Sequence, residues 1–464
     1  MSWLARAAYG ALLRLATPLY LLRLLWRGRR EPLYRAELGQ RLGFGRADAT
    51  GRLWLHAVSL GETRAASALI DELRRRRPHL RLLLTHGTAT GREAGAALLH
   101  KGDAQAWLPY DTPGAVRRFL AAHRPAAGVI METETWPNLL HGAARADVPL
   151  VLANARLSER SRRKGERLAW LMRPAAACLR VALAQTEDDA ARLRHAGVRE
   201  VQVLGNLKFD MAPAAALLEV GRTWRAGLAR PVVMLAVSRE GEELPLLEAW
   251  LWQAAASTAA STATPTTTST ANPHDARPLL LIVPRHPQRF DEVAAMVRAR
   301  GLTLTRRSTW AADRAADRAT DMGTDRGAEP GPTPPLEARD ADVWLGDSMR
   351  EMPLYYALAD VALLGGSFEP LGGQNLIEAA ACGCPLLMGP HTFNFAHAAE
   401  LALAAGAAER VADIETAVVR ARAWLQDPAA LAARARCAVE FAAQHRGAAQ
   451  RMAAAVLTVM ERGG

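Results

Sequence analysis

From Leu53 onward the chain alternates short apolar runs with amphipathic stretches. Leu53–Val58, Leu80–Thr85, Ala126–Met131, Pro149–Leu152 and Val181–Leu183 read as buried strands. Thr63–Leu73, Thr112–His123 and Asp188–His195 carry helical spacing between them. Uninterrupted apolar strands separated by helices predict a parallel sheet covered on both faces. The pattern restarts with Val232–Ala236, Leu279–Val283, Val343–Leu345, Val361–Leu364 and Pro385–Met388. The expected fold class is α/β: two Rossmann-like parallel-sheet domains facing a cleft, with ligands at the carboxyl ends of the strands. The expected divisions are a membrane-associated helix at 1–30, a first domain at 31–205 and a linker at 206–230. A second domain follows at 231–445, and a closing helix at 446–464 is expected across the domain junction.

Two segments break the pattern. Residues 257–276 are mostly Thr, Ser, Ala and Pro, and 310–338 are rich in Asp, Arg, Thr, Gly and Pro. Neither has the apolar residues that offset the entropy of ordering, so both are expected as mobile insertions. The amino terminus differs again. Met1 to Trp26 is rich in Leu and Ala but interrupted by Arg6, Arg14 and Arg23, and Arg27, Arg29 and Arg30 follow. No stretch reaches the roughly 20 uncharged apolar residues of a comfortable span. No small-residue cleavage site follows, so a removable signal peptide is not expected. Three readings stay open: an amphipathic helix lying in an anionic membrane face, a spanning anchor with snorkelling arginines, and a Leu-rich helix packed on the protein.

Composition narrows the partners. Lys plus Arg outnumber Asp plus Glu by 58 to 47, a net charge of +11, which favours acidic partners. Aromatic residues are 6 % of the chain and not interleaved with basic clusters, so nucleic acid is not expected. The cysteines Cys178, Cys382, Cys384 and Cys437 form no CxxC pair, so no metal site is expected.

The candidate chemistry sits where strands end. Trp54-Leu-His-Ala-Val-Ser-Leu-Gly-Glu62-Thr63 reads as strand, tight turn and helix start, which puts the Glu62 carboxylate at a strand's carboxyl end. Glu62 is either a general base or a first-turn carboxylate that complements the helix dipole. Met131-Glu132-Thr133-Glu134-Thr135-Trp136-Pro137-Asn138 places two more carboxylates after a strand. They would raise the pKa of Glu62 or hold a substrate; otherwise they decorate a cap, with Trp136 as core. Asn154 to Ser161 and Gly205 to Asp210 supply cations and amides, and Lys208 is placed to neutralise a developing phosphate charge. Arg285 leaves a very apolar strand after Pro284, a place to grip a phosphate. Two glycine turns flank a further motif region: Gly365-Gly366-Ser367 and Gly372-Gly373-Gln374. They suggest a phosphate loop, with the next helix opening at Gln374 and Glu378 one turn in to meet ribose hydroxyls. With no P-loop and no GxGxxG in the first strand-to-helix turn, neither an ATPase nor a dehydrogenase is favoured.

Eight segments in order resemble the 3-deoxy-D-manno-oct-2-ulosonic acid (Kdo) transferases of lipopolysaccharide synthesis. They are HAVSLGET (56–63), METETWPN (131–138), NARLSERS (154–161), GNLKFD (205–210), PRHPQRF (284–290), GDSMREM (346–352), GGQNLIE (372–378) and GPHTFNF (389–395). The resemblance implies a GT-B-type glycosyltransferase with CMP-Kdo as donor substrate, a lipid A precursor as acceptor, and neither cofactor nor metal. It implies catalytic domains on the cytoplasmic side of the inner membrane, apposed to an anionic surface. By resemblance Glu62 is the base, Lys208 and Glu132 stabilise the transition state, and Glu134 is an acidic support. CMP contacts then fall on Pro284, Arg285, Met349, Arg350, Glu351, Asn375, Leu376, Ile377 and Glu378. Three positions depart from the family: Val237-Ser238-Arg239 replaces a Ser-Thr-His run before Gly241-Glu242-Glu243, Arg350 stands where Gly is common, and Gln374 where His is common. The alternatives are a UDP-sugar lipid glycosyltransferase or sugar-nucleotide epimerase, separable by CMP against UDP binding, and a non-catalytic membrane-surface protein, which would release no CMP.

Overall fold

The computed structural model describes residues 2–29, 31–45, 50–262, 277–310 and 334–463. The chain divides into two compact units, Met1–Met211 with His445–Gly464, and Ala212–Gln444. In the first unit the strands are β1 (Leu53–His56), β2 (Leu82–His86), β3 (Ala104–Trp107), β4 (Ala127–Met131), β5 (Leu150–Ala155), β6 (Val181–Ala184) and β7 (Val201–Val203). In the second they are β8 (Val232–Ser238), β9 (Leu279–Pro284), β10 (Leu304–Arg306), β11 (Val343–Leu345), β12 (Val361–Leu364), β13 (Leu386–Met388) and β14 (Ala408–Arg410). Among the described residues each unit holds one seven-stranded sheet, ordered β3-β2-β1-β4-β5-β6-β7 and β10-β11-β9-β8-β12-β13-β14. All recorded pairings are parallel.

The ten strands expected from apolar runs are present. The four that were not expected, β3, β7, β10 and β14, are the four sheet edges. An edge strand is covered less, so it needs no continuous apolar run: β10 is half-buried throughout, and β14 carries Glu409 and Arg410. The central strands alternate their side chains between two apolar layers. Leu53, Leu55, Val129 and Met131 face the helix Leu60–Arg76, while Trp54 and Ile130 face Pro113–His123 and Pro137–Arg145. Thr112, expected to open the first of those two helices, is its N-cap and accepts the Ala115 N–H.

Several expected boundaries move. The segment expected as a linker is divided: the 3₁₀ turn Leu207–Asp210 lies in the first unit and the helix Ala215–Ala226 in the second. The last helix, Ala448–Gly463, is part of the first unit, where Met452, Ala453 and Val456 join the same core as Ala66 and Leu69. Most of both expected insertions (263–276 and 311–333) lies outside the described residues. Their flanks are ordered, contrary to expectation. The helix Glu243–Thr262 runs into the first, and Trp310 packs against Trp224 and Trp344 with ring centroids 5.2 and 5.1 Å away. Buried apolar anchors at Trp310 and Ala338 narrow the second.

The N-terminal helix Ser2–Arg27 docks through one face. Gly10 allows close approach: a Cβ there would lie 3.1 Å from Pro113 Cγ. Tyr9 hydrogen-bonds to Asp111, and the Tyr20 and Tyr110 rings lie 5.7 Å apart. The opposite stripe, Leu12, Leu15, Leu19, Leu22 and Trp26, is 64–78 % exposed. Among the described residues no helix is long and apolar enough to cross a membrane.

Candidate functional site

Each sheet reverses its strand order beside its first strand, between β1 and β4 in the first unit and between β8 and β12 in the second. Ligands of open α/β sheets gather at such points. In the first unit the turn after β1 is a variant of the capping box, in which the glutamate reaches the amide before the cap. Ser59 caps the helix Leu60–Arg76, accepting the Glu62 N–H and donating its hydroxyl to Glu62 Oε1 at 3.0 Å. Glu62 Oε2 accepts the Val58 N–H at 2.8 Å. Glu62 thus does complement its helix, which was the alternative to a base. Its proton affinity adds something a cap does not require. Burial pushes its pKa up to about 7, against the Val58 and Ser59 hydrogen bonds, with Glu132 and Glu134 adding to the rise. Nearby His56 and His86 are pushed down to about 3 and 4, mainly by burial, so both imidazoles are neutral at neutral pH.

Glu132 follows β4 with φ 58°, a left-handed conformation that is uncommon for a residue with a side chain. Its carboxylate meets Lys208 Nζ at 3.6 Å. Lys208 is positioned from two sides. Asn154, at φ 52° in β5, accepts the Leu207 N–H through Oδ1 at 3.0 Å, and Asn206 accepts the Lys208 N–H at 3.0 Å. Asp210 closes the turn by accepting the Gly447 and Ala449 N–H groups at 2.5 and 2.7 Å. Glu134 is half-buried, and burial first, then Glu132, push its pKa up. Trp136, a core residue only in the cap-decoration alternative, is 37 % exposed. Asp111 was not foreseen from the sequence. Its carboxylate accepts the Asn138 and Leu139 N–H groups at 3.0 and 2.7 Å, anchoring the end of the acidic loop, and burial pushes its pKa to about 7. A cavity of about 220 Å³ opens beside that loop, lined by Thr133, Thr135, Arg156, Leu157 and Met172 among others.

In the second unit the chain bends sharply near the end of β8, where Val237 takes φ 58° and the register with β9 shifts. Gly365 lies directly against this turn: a Cβ there would sit 2.4 Å from the Val237 carbonyl oxygen. The buried Glu242 carboxylate then gathers three amides, accepting from Arg239 and Gly366 at 2.8 Å and from Phe368 at 3.2 Å. The Gly365 N–H goes to Ala236 O and the Gly373 N–H to Gly366 O. Ser367 Oγ accepts the Gly389 N–H at 2.8 Å. The amides of Gly365, Gly366 and Gly373, in the segment expected as a phosphate loop, are therefore used inside the protein. Gly366, Gly372 and Gly373 all have positive φ, so these glycines shape the loop. The Gln374 side chain lies near Gly366, whose added Cβ would be 3.1 Å from Gln374 Nε2.

The remaining expected contacts are spread around the same edge. Asn375 caps the helix Leu376–Ala381, and its Oδ1 is buried without a hydrogen-bond partner among the described residues. Leu376 and Ile377 are core, buried backbone and side chain alike. Glu378 is half-buried and helps push the Tyr356 hydroxyl well up, after burial itself. Pro284 is buried at the end of β9 while Arg285 is exposed beyond it. Met349 is exposed, and Arg350 takes φ 69°. The Glu351 carboxylate is held by the buried Arg307 at 2.9 and 3.1 Å. Among the described residues no group of three His, Cys, Asp or Glu side chains gathers to hold a metal ion.

A profile of the family described as "3-Deoxy-D-manno-octulosonic-acid transferase (kdotransferase)" matches residues 36–211. The chain is 45 % identical to a 3-deoxy-D-manno-octulosonic acid transferase of Bordetella pertussis over 97 % of its own length and 98 % of the relative's. It is 31 % identical to a protein of the same description from Haemophilus influenzae, over 84 % and 83 %. Among solved structures, the UDP-GlcNAc 2-epimerase of Neisseria meningitidis bound to UDP-GlcNAc shares the fold, with a TM-score of 0.54 and 13 % identity over 88 % of this chain and 100 % of that one.

Proposed function

The chain belongs to the 3-deoxy-D-manno-octulosonic acid transferase family, and from that premise we propose that Glu62 is the base by which it transfers Kdo from CMP-Kdo to a lipid A precursor. The protein is a glycosyltransferase of lipopolysaccharide core synthesis that uses CMP-Kdo. One observation carries the base assignment: a carboxylate at the switch point of the first sheet with a pKa pushed up to about 7. A base is most effective when its pKa lies near the working pH.

The acceptor hydroxyl oxygen forms a bond to the anomeric carbon of Kdo as the bond from that carbon to the CMP phosphate oxygen breaks. The hydroxyl proton passes to Glu62, and CMP leaves as a phosphate monoester. Lys208, paired with Glu132 at 3.6 Å, supplies a cation for the charge that develops. In the second unit Asn375, with its buried Oδ1 unpartnered, and the exposed Arg285 are the residues we assign to CMP. The apolar stripe of the helix Ser2–Arg27 suits an acceptor whose acyl chains stay in a membrane.

Incubation with CMP-Kdo and lipid A precursor should release CMP and add the mass of one or more Kdo residues to the lipid. Glu62→Gln should lower turnover by roughly 10²–10⁴-fold while CMP binding is retained. Turnover close to that of the unaltered chain would remove Glu62 as the base, and a chain that adds no mass at all would remove the transfer itself.

A further inference from the structure

A groove of about 960 Å³ runs between the N-terminal helix and the rest of the first unit. Arg6 and Arg14 line it from Ser2–Arg27, Arg117 and Arg124 from Pro113–His123 and its cap, and Arg145 from the end of Pro137–Arg145. Among the described residues no carboxylate lines it. Among the described residues none of these five arginines makes an ion pair or a side-chain hydrogen bond, whereas Arg162, Arg289 and Arg307 are held by glutamates. Burial first, and then Arg6 and Arg145 together, depress His141 on the groove wall, so that imidazole stays neutral and two elements converge on it. Uncompensated like charges around one groove repel each other, and an anion seated among them relieves that repulsion.

The rest of the groove identifies the anion. Val116, Leu120 and Val148 give it apolar walls, so it suits an amphiphile better than a free ion. The helix that forms one side turns its apolar stripe outward. Such a helix lies with that stripe at the headgroup–acyl boundary, which sets its flanking arginines at the depth of lipid phosphates. Guanidinium forks match phosphate oxygens two at a time. The groove also reaches Pro125 and Val148, which precede β4 and β5, whereas Glu62 stands at the opposite, carboxyl end of the sheet. A phosphate held at that end is not part of the reacting pair.

We propose that this groove is a discrete site for the phosphodiester headgroup of an anionic phospholipid, which ties the N-terminal helix to the body of the first unit at a membrane surface. The site is independent of the identity of the catalytic base. The test uses the full chain in detergent, with native mass spectrometry and thermal melting against short-chain phosphatidylglycerol, short-chain phosphatidylcholine and inorganic phosphate. Phosphatidylglycerol should be retained at one molecule per chain and should raise the melting temperature. Arg117→Gln with Arg145→Gln should weaken that binding about tenfold or more, a change that a few lost charge-assisted bonds supply. Lys164→Gln with Arg167→Gln removes the same charge from the same unit and should leave it intact. Arg117→Lys with Arg145→Lys keeps the charge but not the forks, and should retain vesicle binding while losing the single tightly held lipid. Turnover on detergent-dispersed acceptor should stay unchanged in all three variants. Equal losses in the two Gln pairs would reduce the site to diffuse surface charge. Equal stabilisation by inorganic phosphate would make it a free-anion site, and equal retention of phosphatidylcholine would remove the anionic selectivity; each of these overturns the proposal.

Discussion

The two units share a sheet architecture and equip its switch point in opposite ways. In the first unit the functional groups are side chains: Glu132 raises the proton affinity of both Glu62 and Glu134, and its own carboxylate lies beside Lys208. In the second unit the switch point is shaped by backbone. Gly365 folds against Val237, and a buried carboxylate, Glu242, ties three amides together, that of Gly366 among them. Carboxylates thus do different work at equivalent places. Burial raises the proton affinity of both, but Glu62, with two hydrogen bonds and two acidic neighbours, holds a proton near neutrality, while Glu242, accepting three backbone amides, holds a loop. The contrast suits a transferase, where one side handles a proton and the other recognises a nucleotide.

The strongest way to break this contrast is Glu242→Ala. Three amides would lose their acceptor, two of them from the glycine turn and its continuation. Leaving buried N–H groups unpaired costs about 1–3 kcal/mol each, so destabilisation of about 3 kcal/mol or more is expected in denaturant unfolding, with CMP affinity falling alongside. A variant with the stability and CMP affinity of the parent would mean that the loop holds its shape without Glu242.

The first unit is sharpened by pH. Glu62 accepts a proton only as a carboxylate, so kcat/KM should rise as pH passes upward through about 7. Glu132 raises that pKa, so Glu132→Gln should move the rise to lower pH; a rise that stays in place would separate the two carboxylates electrostatically. Stability has the opposite sign. The folded pKa values of Glu62 and Asp111, both about 7, lie above their ordinary values of 4.5 and 3.8. The folded state therefore binds the extra protons. This contribution is fully present below the ordinary values and is lost as pH rises through about 7. The melting temperature should fall across that window, and Glu62→Gln should flatten part of the fall.

What the sequence could disclose follows from the same physics. The strand, turn and helix around Glu62 were legible because a fully buried strand must be apolar and a cap must be Ser, Thr, Asp or Asn. The edge strands were not, because partial exposure frees them from that pattern. Nor was Asp111: its role depends on a residue in the N-terminal helix, Tyr9, and on amides 27 and 28 positions away. That the amides of Gly366 and Gly373 are used inside the protein was not legible for a related reason. A glycine pair shows that the backbone turns tightly, not which way its N–H groups point. The Ser-x-x-Glu motif at Ser59–Glu62 offered a third ambiguity, since capping and catalysis ask for the same residue, and only burial separates them.

The smallest expected effect concerns Arg350, and it tests how far backbone alone defines the second unit. The family resemblance leads to glycine at this position, and an arginine has a Cβ that disfavours the same chain path. Instead Arg350 adopts φ 69°, the left-handed conformation glycine takes without strain. Such a conformation costs a residue with a Cβ about 1–2 kcal/mol, within the reach of local contacts to offset. The neighbouring Glu351, fixed by Arg307 at 2.9 and 3.1 Å, over-determines the turn from the following position. Arg350→Gly should therefore leave the turn unchanged. Relief of strain and the larger entropy of the unfolded glycine chain oppose each other, so stability should move by no more than about 1 kcal/mol in either direction. CMP affinity should also hold, because the backbone path is the same. A marked loss of CMP binding with unchanged melting would show that the guanidinium itself grips the nucleotide, as a further side chain beside those of Asn375 and Arg285.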